Sequence, residues 1–395
     1  MRSRARDRVQ VSAAVDLPRG FAAHAGNAGV KDGTDDVAVV VSSVPATVAA
    51  VFTRSRFVGP SVVVSRRHVA DRQAQACVVV SKNANVATGP TGLAHAEELA
   101  ELTARVAGCD TTDVVVASTG VIGRLYPMDR LRSYFAGLAT PASRDVLPAA
   151  RAMMTTDTHP KTASVQVGEA RIVGMAKGSG MIEPDMATMI ALLFTDAAVP
   201  ADVLDTAFAR AVDTTLNSLT VDGDTSTSDT AAVLANGLAG PGDPGALEAG
   251  LHQVCLDLTR QLARDGEGAT KLLVVTVTGA RDDPQARRVA RTVANSPLVK
   301  TAVHGADPNW GRVAMAVGKC QDDTDIEPER VTIRFGPSEV YPRPHDEALL
   351  AELSGYMRGE EVEIGVDLGI AAGRWTIYGC DLSREYVAIN ADYTT

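Results

Sequence analysis

One segment of the sequence combines a glycine-rich loop with a threonine at the start of an apolar run. Lys177-Gly-Ser-Gly180 leads through Pro184 to the small-residue step Ala187-Thr188, and residues 189–194 are apolar. A threonine hydroxyl is a weak nucleophile without a base beside it, and cleavage of the bond before the threonine supplies one, the new α-amine. This amine has a reference pKa of about 8 and is partly neutral at physiological pH. The segment permits an N-terminal threonine nucleophile; the alternatives are an ordinary threonine and ordinary turn glycines.

The remaining reactive side chains form no comparable pattern. None of the seven histidines lies in a nucleophile–base motif, and His304 fits a structural role better. The acidic and histidine residues lack the spacing of known metal sites, and the glycine-rich loop lacks the Gly-Lys-Ser/Thr ending of a phosphate-binding loop. The five cysteines are scattered without C-x-x-C spacing, which is typical of a reducing cytoplasm. The sequence therefore predicts no metal.

The composition excludes several classes of partner. The 395 residues carry 38 Lys+Arg and 48 Asp+Glu, a formal net charge of −10, which argues against binding nucleic acid or anionic membranes through bulk charge. Apolar runs such as 37–41 and 272–275 are far shorter than the roughly 20 residues of a membrane helix. The arginine-rich N-terminus is interrupted by Asp7 and precedes no apolar core, so we interpret it as a flexible arm. We expect a soluble, cytoplasmic protein.

The elements that must position this chemistry alternate between helical and strand patterns, which predicts an α/β fold. A buried strand at 114–117 runs into the small-residue loop 118–123. Helices are predicted at 127–138, 200–216, 246–263 and 283–295, and strands at 271–278, 331–335, 362–368, 374–380 and 385–389. The continuous apolar centre of strand 271–278 indicates burial on both faces. A smaller α/β subdomain is predicted at about 282–395.

Eight short motifs stand in one order along nearly the whole chain: Ser118-Thr-Gly-Val-Ile-Gly123, Met154-Thr-Thr-Asp-Thr158, Lys177-Gly-Ser-Gly180, Met186-Ala-Thr-Met189, Asp224-Thr-Ser-Thr-Ser-Asp229, Asp265-Gly-Glu-Gly268, Asp307-Pro-Asn-Trp-Gly-Arg312 and Ile389-Asn-Ala-Asp-Tyr-Thr-Thr395. In these residues the sequence resembles the ornithine acetyltransferase (glutamate N-acetyltransferase) family. One motif alone is weak evidence, whereas eight in order over a chain of family-typical length are specific.

The resemblance implies a precursor that cleaves itself between Ala187 and Thr188 into an α chain, 1–187, and a β chain, 188–395. Thr188 would attack the acetyl carbonyl of N-acetylornithine, release ornithine and hold the acetyl group as an ester until glutamate takes it as N-acetylglutamate. No cofactor is implied, because the threonine carries the acetyl group; whether acetyl-CoA also donates stays open. The implied fold is an αββα sandwich of the N-terminal-nucleophile type, and the implied assembly is α2β2.

The resemblance also assigns site residues. An oxyanion hole falls on Thr119 and Gly120, where a hydroxyl and a closely approaching backbone at a strand end can stabilise the tetrahedral intermediate; a plain strand-to-helix turn is the alternative. Substrate contacts fall on Thr155, Lys177, Thr188, Glu267, Asn390 and Thr395. Because the last two lie at the C-terminus, where chains normally fray, we expect this end to be docked.

The charges of two assigned residues suit an amino-acid ligand. Lys177 can bind a carboxylate and Glu267 an ammonium group, and solvated surface charge is the alternative for both. One departure from the family pattern is Glu183-Pro184-Asp185, where many members have Ala-Pro-Asn. This version looks more like the ornithine acetyltransferase of clavulanic-acid-type biosynthetic clusters. Two competing hypotheses are an amidohydrolase or aminopeptidase of the same architecture, in which water replaces glutamate, and a non-catalytic paralogue.

Overall fold

The computed structural model describes residues 15–31, 33–183, 189–343 and 346–392. Within these ranges the chain forms thirteen strands: β1 (Phe21–Gly26), β2 (Val37–Phe52), β3 (Gln73–Val80), β4 (Val114–Ser118), β5 (Lys161–Val167), β6 (Ala170–Lys177), β7 (Ile190–Ala198), β8 (Thr230–Pro241), β9 (Leu272–Ala280), β10 (Thr332–Phe335), β11 (Ser338–Tyr341), β12 (Glu361–Asp367) and β13 (Gly373–Cys380). The same ranges contain eleven α-helices: α1 (Pro60–His68), α2 (Gly89–Ala107), α3 (Met128–Ala136), α4 (Leu147–Ala152), α5 (Ala201–Thr214), α6 (Pro244–Arg264), α7 (Asp283–Ala294), α8 (Pro297–His304), α9 (Trp310–Gly318), α10 (Glu347–Tyr356) and α11 (Arg384–Asp392). None of these helices is long and apolar enough to cross a bilayer.

Strands β1–β8 form one mixed sheet that is folded on itself. The order is β4-β3-β2-β8-β7-β6-β5, with β1 paired to β2. The long strand β2 pairs with β1 and β3 through its first part and with β8 through residues 47–52, and its register against β3 shifts between Val41 and Ala46. Such an irregularity bends and twists a strand. Strand β2 therefore passes from one layer of the sheet to the other.

The two layers pack face to face across one apolar core. This core contains Cys77 and Val79 from β3 together with Leu192 and Phe194 from β7. The ring of Phe21, on β1, lies 5.2 Å from that of Phe194, although β1 pairs with β2 and not with β7. This close contact between strands on opposite sides of the fold requires that the layers face each other.

Helices cover the outer face of each layer. On β3, alternate residues point outward: Ala76, Val78 and Val80 pack in a cluster that also contains Leu99 of α2. Helices α1–α3 cover this layer, and α5 and α6 cover the other, where α6 packs on β5 and β6. Both faces of these strands are buried, which explains their nearly continuous apolar sequences. The result is an αββα sandwich, and the predicted fold class is confirmed.

Strands β9–β13 form a second sheet with the order β11-β10-β12-β9-β13. Leu273, Val275 and Val277 of β9 pack in a cluster that includes α7–α9, whereas Leu272 and Val274 belong to the cluster around α6. The predicted burial of this strand on both faces is confirmed. The subdomain boundary near residue 282, like the division at 187, remains a prediction; the second sheet also contains β9, which precedes residue 282.

One sequence prediction of local structure is wrong. Residues 385–389 were expected as a strand because Tyr, Val and Ile favour strands, but they lie inside helix α11. The Ser383 hydroxyl accepts a hydrogen bond from the backbone N–H of Glu385 at 3.1 Å, which is the geometry of a helix N-cap. It also donates to the carbonyl oxygen of Gly268 at 2.6 Å. Tertiary anchoring through Ser383 thus outweighs a weak local preference.

Candidate active site

A cavity opens where the two layers of the αββα sandwich end together. Its walls come from the loop after β4, the end of β6, the start of β7, the residues before β8, the turn after α6 and helix α11. The residues that line the cavity include Thr119, Gly120, Thr155, Lys177, Gly180, Met189, Ser226, Asp229, Glu267 and Asn390. Segments far apart in sequence therefore meet at one site.

Six residues that the sequence assigned to catalysis or substrate binding line this single cavity: Thr119, Gly120, Thr155, Lys177, Glu267 and Asn390. Ala187, Thr188 and Thr395 lie outside the described residues. Met189, which follows Thr188 in the chain, also lines the cavity. The cavity thus contains all of the assigned residues that the described part of the chain includes.

Thr119 and Gly120 offer two hydrogen-bond donors at the end of β4. The Thr119 backbone N–H donates to the carbonyl oxygen of Val80 at 3.0 Å, so it is already engaged. The Thr119 hydroxyl accepts a hydrogen bond from Lys177 Nζ at 3.1 Å, which leaves its own proton available to a ligand. Gly120 has a φ of 126°, and a Cβ there would overlap the backbone of Lys82. Only glycine brings the backbone this close.

Lys177 is a buried cation at the base of the cavity, with 8% of its surface exposed. Burial lowers the pKa of its ammonium group, and the Asp157, Asp229 and Glu267 carboxylates oppose this effect. A buried ammonium group with donors to spare is suited to binding an anionic ligand group. Lys177 is therefore not a solvated surface charge, which was the alternative interpretation.

Asp157 connects backbone segments that flank the cavity. Its carboxylate accepts hydrogen bonds from the backbone N–H of Thr155 at 3.0 Å and of Gly178 at 2.6 Å. Lys161, which is fully buried, bridges Asp157 at 2.7 Å and Asp265 at 2.6 Å. Burial alone would raise the pKa of Asp157, but the Lys177 and Lys161 ammonium groups lower it below its ordinary range. Asp157 therefore positions residues that flank the site while remaining ionised.

Glu267 and Asn390 close the opposite wall. A Cβ at Gly180 would lie 2.5 Å from the Glu267 side-chain carboxyl carbon, so glycine lets Glu267 pack over this loop. The Glu267 backbone N–H donates to the Ser179 carbonyl at 2.7 Å, and Asn390 Nδ2 donates to Glu267 Oε2 at 2.8 Å. Helix α11 is therefore docked at the cavity through Asn390.

Sequence reasoning assigned no role to Asp157, Lys161 or Asp229. Asp157, Asp229 and Asp265 each lie inside one of the eight motifs, but a motif does not reveal which of its members are buried or paired. Lys161 lies outside all of them, although its position three residues after one motif and at the start of an alternating strand offered a weak signal. Asp229 is 2% exposed and lines the cavity.

The His304 ring does not take part in this cavity. Its Nδ1 contacts Asp381 Oδ2 at 2.7 Å, and Asp381 also accepts hydrogen bonds from the backbone and hydroxyl of Thr270. These contacts connect the start of β9 with the end of β13, which agrees with a structural role. Within the described residues, no group of His, Cys, Asp and Glu side chains is arranged to hold a metal ion.

The sequence is similar to known proteins along most of its length. The profile of the ArgJ family matches residues 22–395. Glutamate N-acetyltransferase Oat2 from Streptomyces clavuligerus is 56% identical over 385 residues, which are 96% of this chain and 98% of that protein. An arginine biosynthesis bifunctional protein ArgJ from a Nostoc strain is 49% identical over 385 residues, 97% of this chain and 99% of that protein.

Among solved structures, the Mycobacterium tuberculosis ornithine acetyltransferase complexed with ornithine is 34% identical to this chain where the two align. The alignment covers 44% of this chain and 96% of that chain, with a TM-score of 0.41.

Proposed function

Because this chain belongs to the ArgJ family, we propose that it transfers the acetyl group of N2-acetyl-L-ornithine to L-glutamate, yielding ornithine and N-acetylglutamate. It is an acetyltransferase of the arginine-biosynthesis type, like its relatives named glutamate N-acetyltransferase and arginine biosynthesis bifunctional protein. The observation that carries the substrate and residue assignments is the single cavity in which Thr119, Gly120, Thr155, Lys177, Glu267 and Asn390 meet.

The nucleophile is Thr188, set free by hydrolysis of the Ala187–Thr188 peptide bond. The cleavage consumes one water and leaves a carboxyl group on Ala187 and an amine on Thr188. The two chains then stay together, because β7 and β8 lie after the cut and pair with β6 and β2, which lie before it. This strand pairing supports a stable cleaved enzyme. The same proposal includes its assembly as α2β2 and its location in the cytoplasm.

In the first half-reaction, Thr188 Oγ1 attacks the acetyl carbonyl and its proton passes to the α-amine. The Thr119 hydroxyl and the Gly120 backbone N–H stabilise the negative charge on the former carbonyl oxygen. Collapse of the intermediate breaks the bond to nitrogen, the protonated amine supplies the proton, and ornithine leaves. In the second half-reaction the amine of glutamate attacks the ester by the same steps in reverse, and N-acetylglutamate is released.

The charges around the cavity fit both substrates. Lys177 provides a buried positive charge and Glu267 a negative charge on the opposite wall. Each substrate carries a carboxylate, and N2-acetyl-L-ornithine also carries an ammonium group on its side chain. A cavity with one cation and one anion can therefore orient an amino acid by its two ends.

Product analysis tests the reaction. Purified protein mixed with N-acetylornithine and glutamate should form ornithine and N-acetylglutamate in equal amounts, whereas the variant T188A should form neither. Release of free acetate in place of N-acetylglutamate would identify a hydrolase. The absence of transfer to glutamate or any other amino acid would contradict the proposal.

A further inference from the structure

Asp229 is a buried carboxyl group that lines the cavity and has an unused oxygen. It is 2% exposed, and its Oδ2 has no hydrogen-bond partner among the described residues. Asp196, an equally buried carboxylate on β7, is paired: it accepts hydrogen bonds from the backbone N–H groups of Arg171 at 2.8 Å and Arg19 at 3.3 Å. A buried polar atom without a partner is costly, and a catalytic role is one explanation for its presence.

The strand register locates Asp229 beside the start of β7. Strands β7 and β8 are parallel, with Ile190 opposite Thr230. The Thr230 backbone N–H donates to the Met189 carbonyl at 3.0 Å. Asp229 immediately precedes Thr230, and Met189 immediately follows the threonine that we propose as nucleophile. Asp229, which carries the unused oxygen, is therefore the strand neighbour of Met189. Met189 is the first described residue of the proposed β chain.

Two hydroxyl groups and one ammonium group act on the Asp229 carboxyl. Burial raises the pKa of its carboxyl well above the ordinary range, although the Ser226 hydroxyl, the Lys177 ammonium group and the Thr53 hydroxyl oppose this effect. These three groups come from the loop before β8, from β6 and from the end of β2. Met189 and Ile190, which line the same cavity, are apolar. A further cationic partner at the unpaired oxygen would stabilise the ionised form of this carboxyl.

We propose that Asp229 is a positioning residue whose unused oxygen accepts a hydrogen bond from the α-amine that cleavage before Thr188 creates. The inference rests on the proposed function. The amine rotates freely about its bond to Cα, so it acts as an efficient base only if something holds its lone pair toward the hydroxyl. With the amine protonated and the carboxyl ionised, the two groups form an ammonium–carboxylate pair, and loss of the ammonium proton gives the neutral amine that acts as the base. Lys177 supplies no such contact, because its ammonium group repels another cation.

The direction in which pH changes the activity follows from this ammonium–carboxylate pair. A carboxylate beside an amine favours the protonated amine and raises its pKa. The rate of acetyl-enzyme formation, which needs the neutral amine, therefore rises with pH through this raised pKa. In D229N the carboxylate is absent, and the acid limb of the pH–rate profile should move at least one pH unit toward lower pH. The plateau rate should fall roughly tenfold or more, because the lone pair is no longer oriented.

A second variant acts in the same direction and more weakly. S226A retains the carboxyl but removes a hydroxyl that stabilises its ionised form, so the carboxyl raises the pKa of the amine less and the acid limb should move toward lower pH by less than in D229N. Because S226A retains the charged residue, it also decides the question if D229N does not fold. D196N is the matched control: it makes the same substitution at an equally buried site on β7, six residues beyond the cavity, and should leave the acid limb where it is.

The experiment measures acetylation of the enzyme by N-acetylornithine in quenched single turnovers between pH 5 and 9, with intact masses recorded for every variant. Wild type and D229N should both be cleaved, and the acid limb should move toward lower pH by a larger amount in D229N than in S226A. Uncleaved wild type would refute the proposed function. If the wild type is cleaved but the acid limb does not shift in the variants, the role of Asp229 alone is overturned. A folded D229N that remains uncleaved would also overturn it, because the carboxyl would then act in cleavage itself.

Discussion

Lys177 Nζ donates a hydrogen bond of 3.1 Å to the Thr119 hydroxyl, and this contact connects the two layers of the folded sheet. Lys177 ends β6 and Thr119 follows β4, so four strands separate them in the order of the sheet. They meet because β2 carries the chain from one layer to the other. The hydrogen bond fixes the orientation of the Thr119 hydroxyl, with its proton available to the cavity.

Removal of the Thr119 hydroxyl should slow acetyl transfer with little change in fold. If this hydroxyl stabilises the oxyanion, T119A should reduce kcat about 100-fold to 1000-fold, since one such donor contributes roughly 3–4 kcal/mol to the barrier. The control is T206A, which removes an exposed hydroxyl on α5 that bonds only within its helix. Steady-state kinetics on both variants make the comparison, and a T119A enzyme with unchanged kcat would remove Thr119 from the oxyanion hole.

Neutralising Glu267 should weaken substrate binding more than chemistry. E267Q keeps the shape and the contact with Asn390 but loses the charge that we assign to a substrate ammonium group. We expect KM for N-acetylornithine to rise tenfold to a hundredfold, because a hydrogen bond to a charged group contributes about 1.5–3 kcal/mol. E385Q, on the exposed face of α11, is the matched control. Equal KM values for E267Q and E385Q would show that Glu267 does not bind the substrate.

A methyl group at Gly180 should reproduce the loss of Glu267. In G180A the new Cβ would lie 2.5 Å from the Glu267 carboxyl carbon, so the side chain must move out of place. KM should rise as in E267Q, and the double variant should be no worse than either single variant because both act on one group. G242A is the control, since a Cβ there meets nothing within 4 Å. Additive effects in the double variant would place the two residues in separate roles.

Asp157 should stabilise the fold in a pH-dependent way. Its pKa is lowered in the folded protein, because the effect of the Lys177 and Lys161 ammonium groups outweighs that of burial. Its contribution to stability is therefore fully present above the unfolded pKa, about 3.9, and is lost as the pH falls toward the lower folded value. D157N should lower the free energy of unfolding at pH 7 by about 3–5 kcal/mol, since it leaves Lys161 with one partner fewer in the interior.

Urea denaturation from pH 3 to 7 tests this stability prediction. The difference between wild type and D157N should shrink as the pH falls below about 4. The control is E98Q, which breaks a partly exposed ion pair with Arg132 and should cost less than about 1 kcal/mol. A D157N difference that stays constant with pH would mean that the Asp157 charge does not stabilise the fold.

The sequence predicted residues that line one cavity, but not the folding of the sheet that brings them together. The motifs brought Thr119, Lys177 and Glu267 to attention because glycines beside reactive residues are informative without tertiary context. The αββα class followed from resemblance, while periodicity alone indicated only helices and sheets. The fold of the sheet about β2 depends on contacts such as Phe21 with Phe194, which no local pattern encodes.

The burial of charged side chains could not be predicted from the sequence for the same reason. Lys161 and Asp157 lie close in sequence and resemble a solvated pair, yet Lys161 is fully buried and reaches Asp265, 104 residues away. Helix α11 was mispredicted because Ser383 and the docking of Asn390 decide its conformation. Predictions therefore failed where contacts distant in sequence determine the outcome.

The central claim is that cleavage before Thr188 creates the nucleophile that carries the acetyl group. Intact mass spectrometry of the purified protein, with and without N-acetylornithine, tests it most directly, with T188A as the uncleavable comparison and T188S as the variant that keeps a hydroxyl. The account predicts two fragments, 1–187 and 188–395, in the wild type and one acetyl group added to the second fragment after incubation with N-acetylornithine. A wild-type protein that remains a single chain, or an acetyl group on any residue other than Thr188, would contradict it.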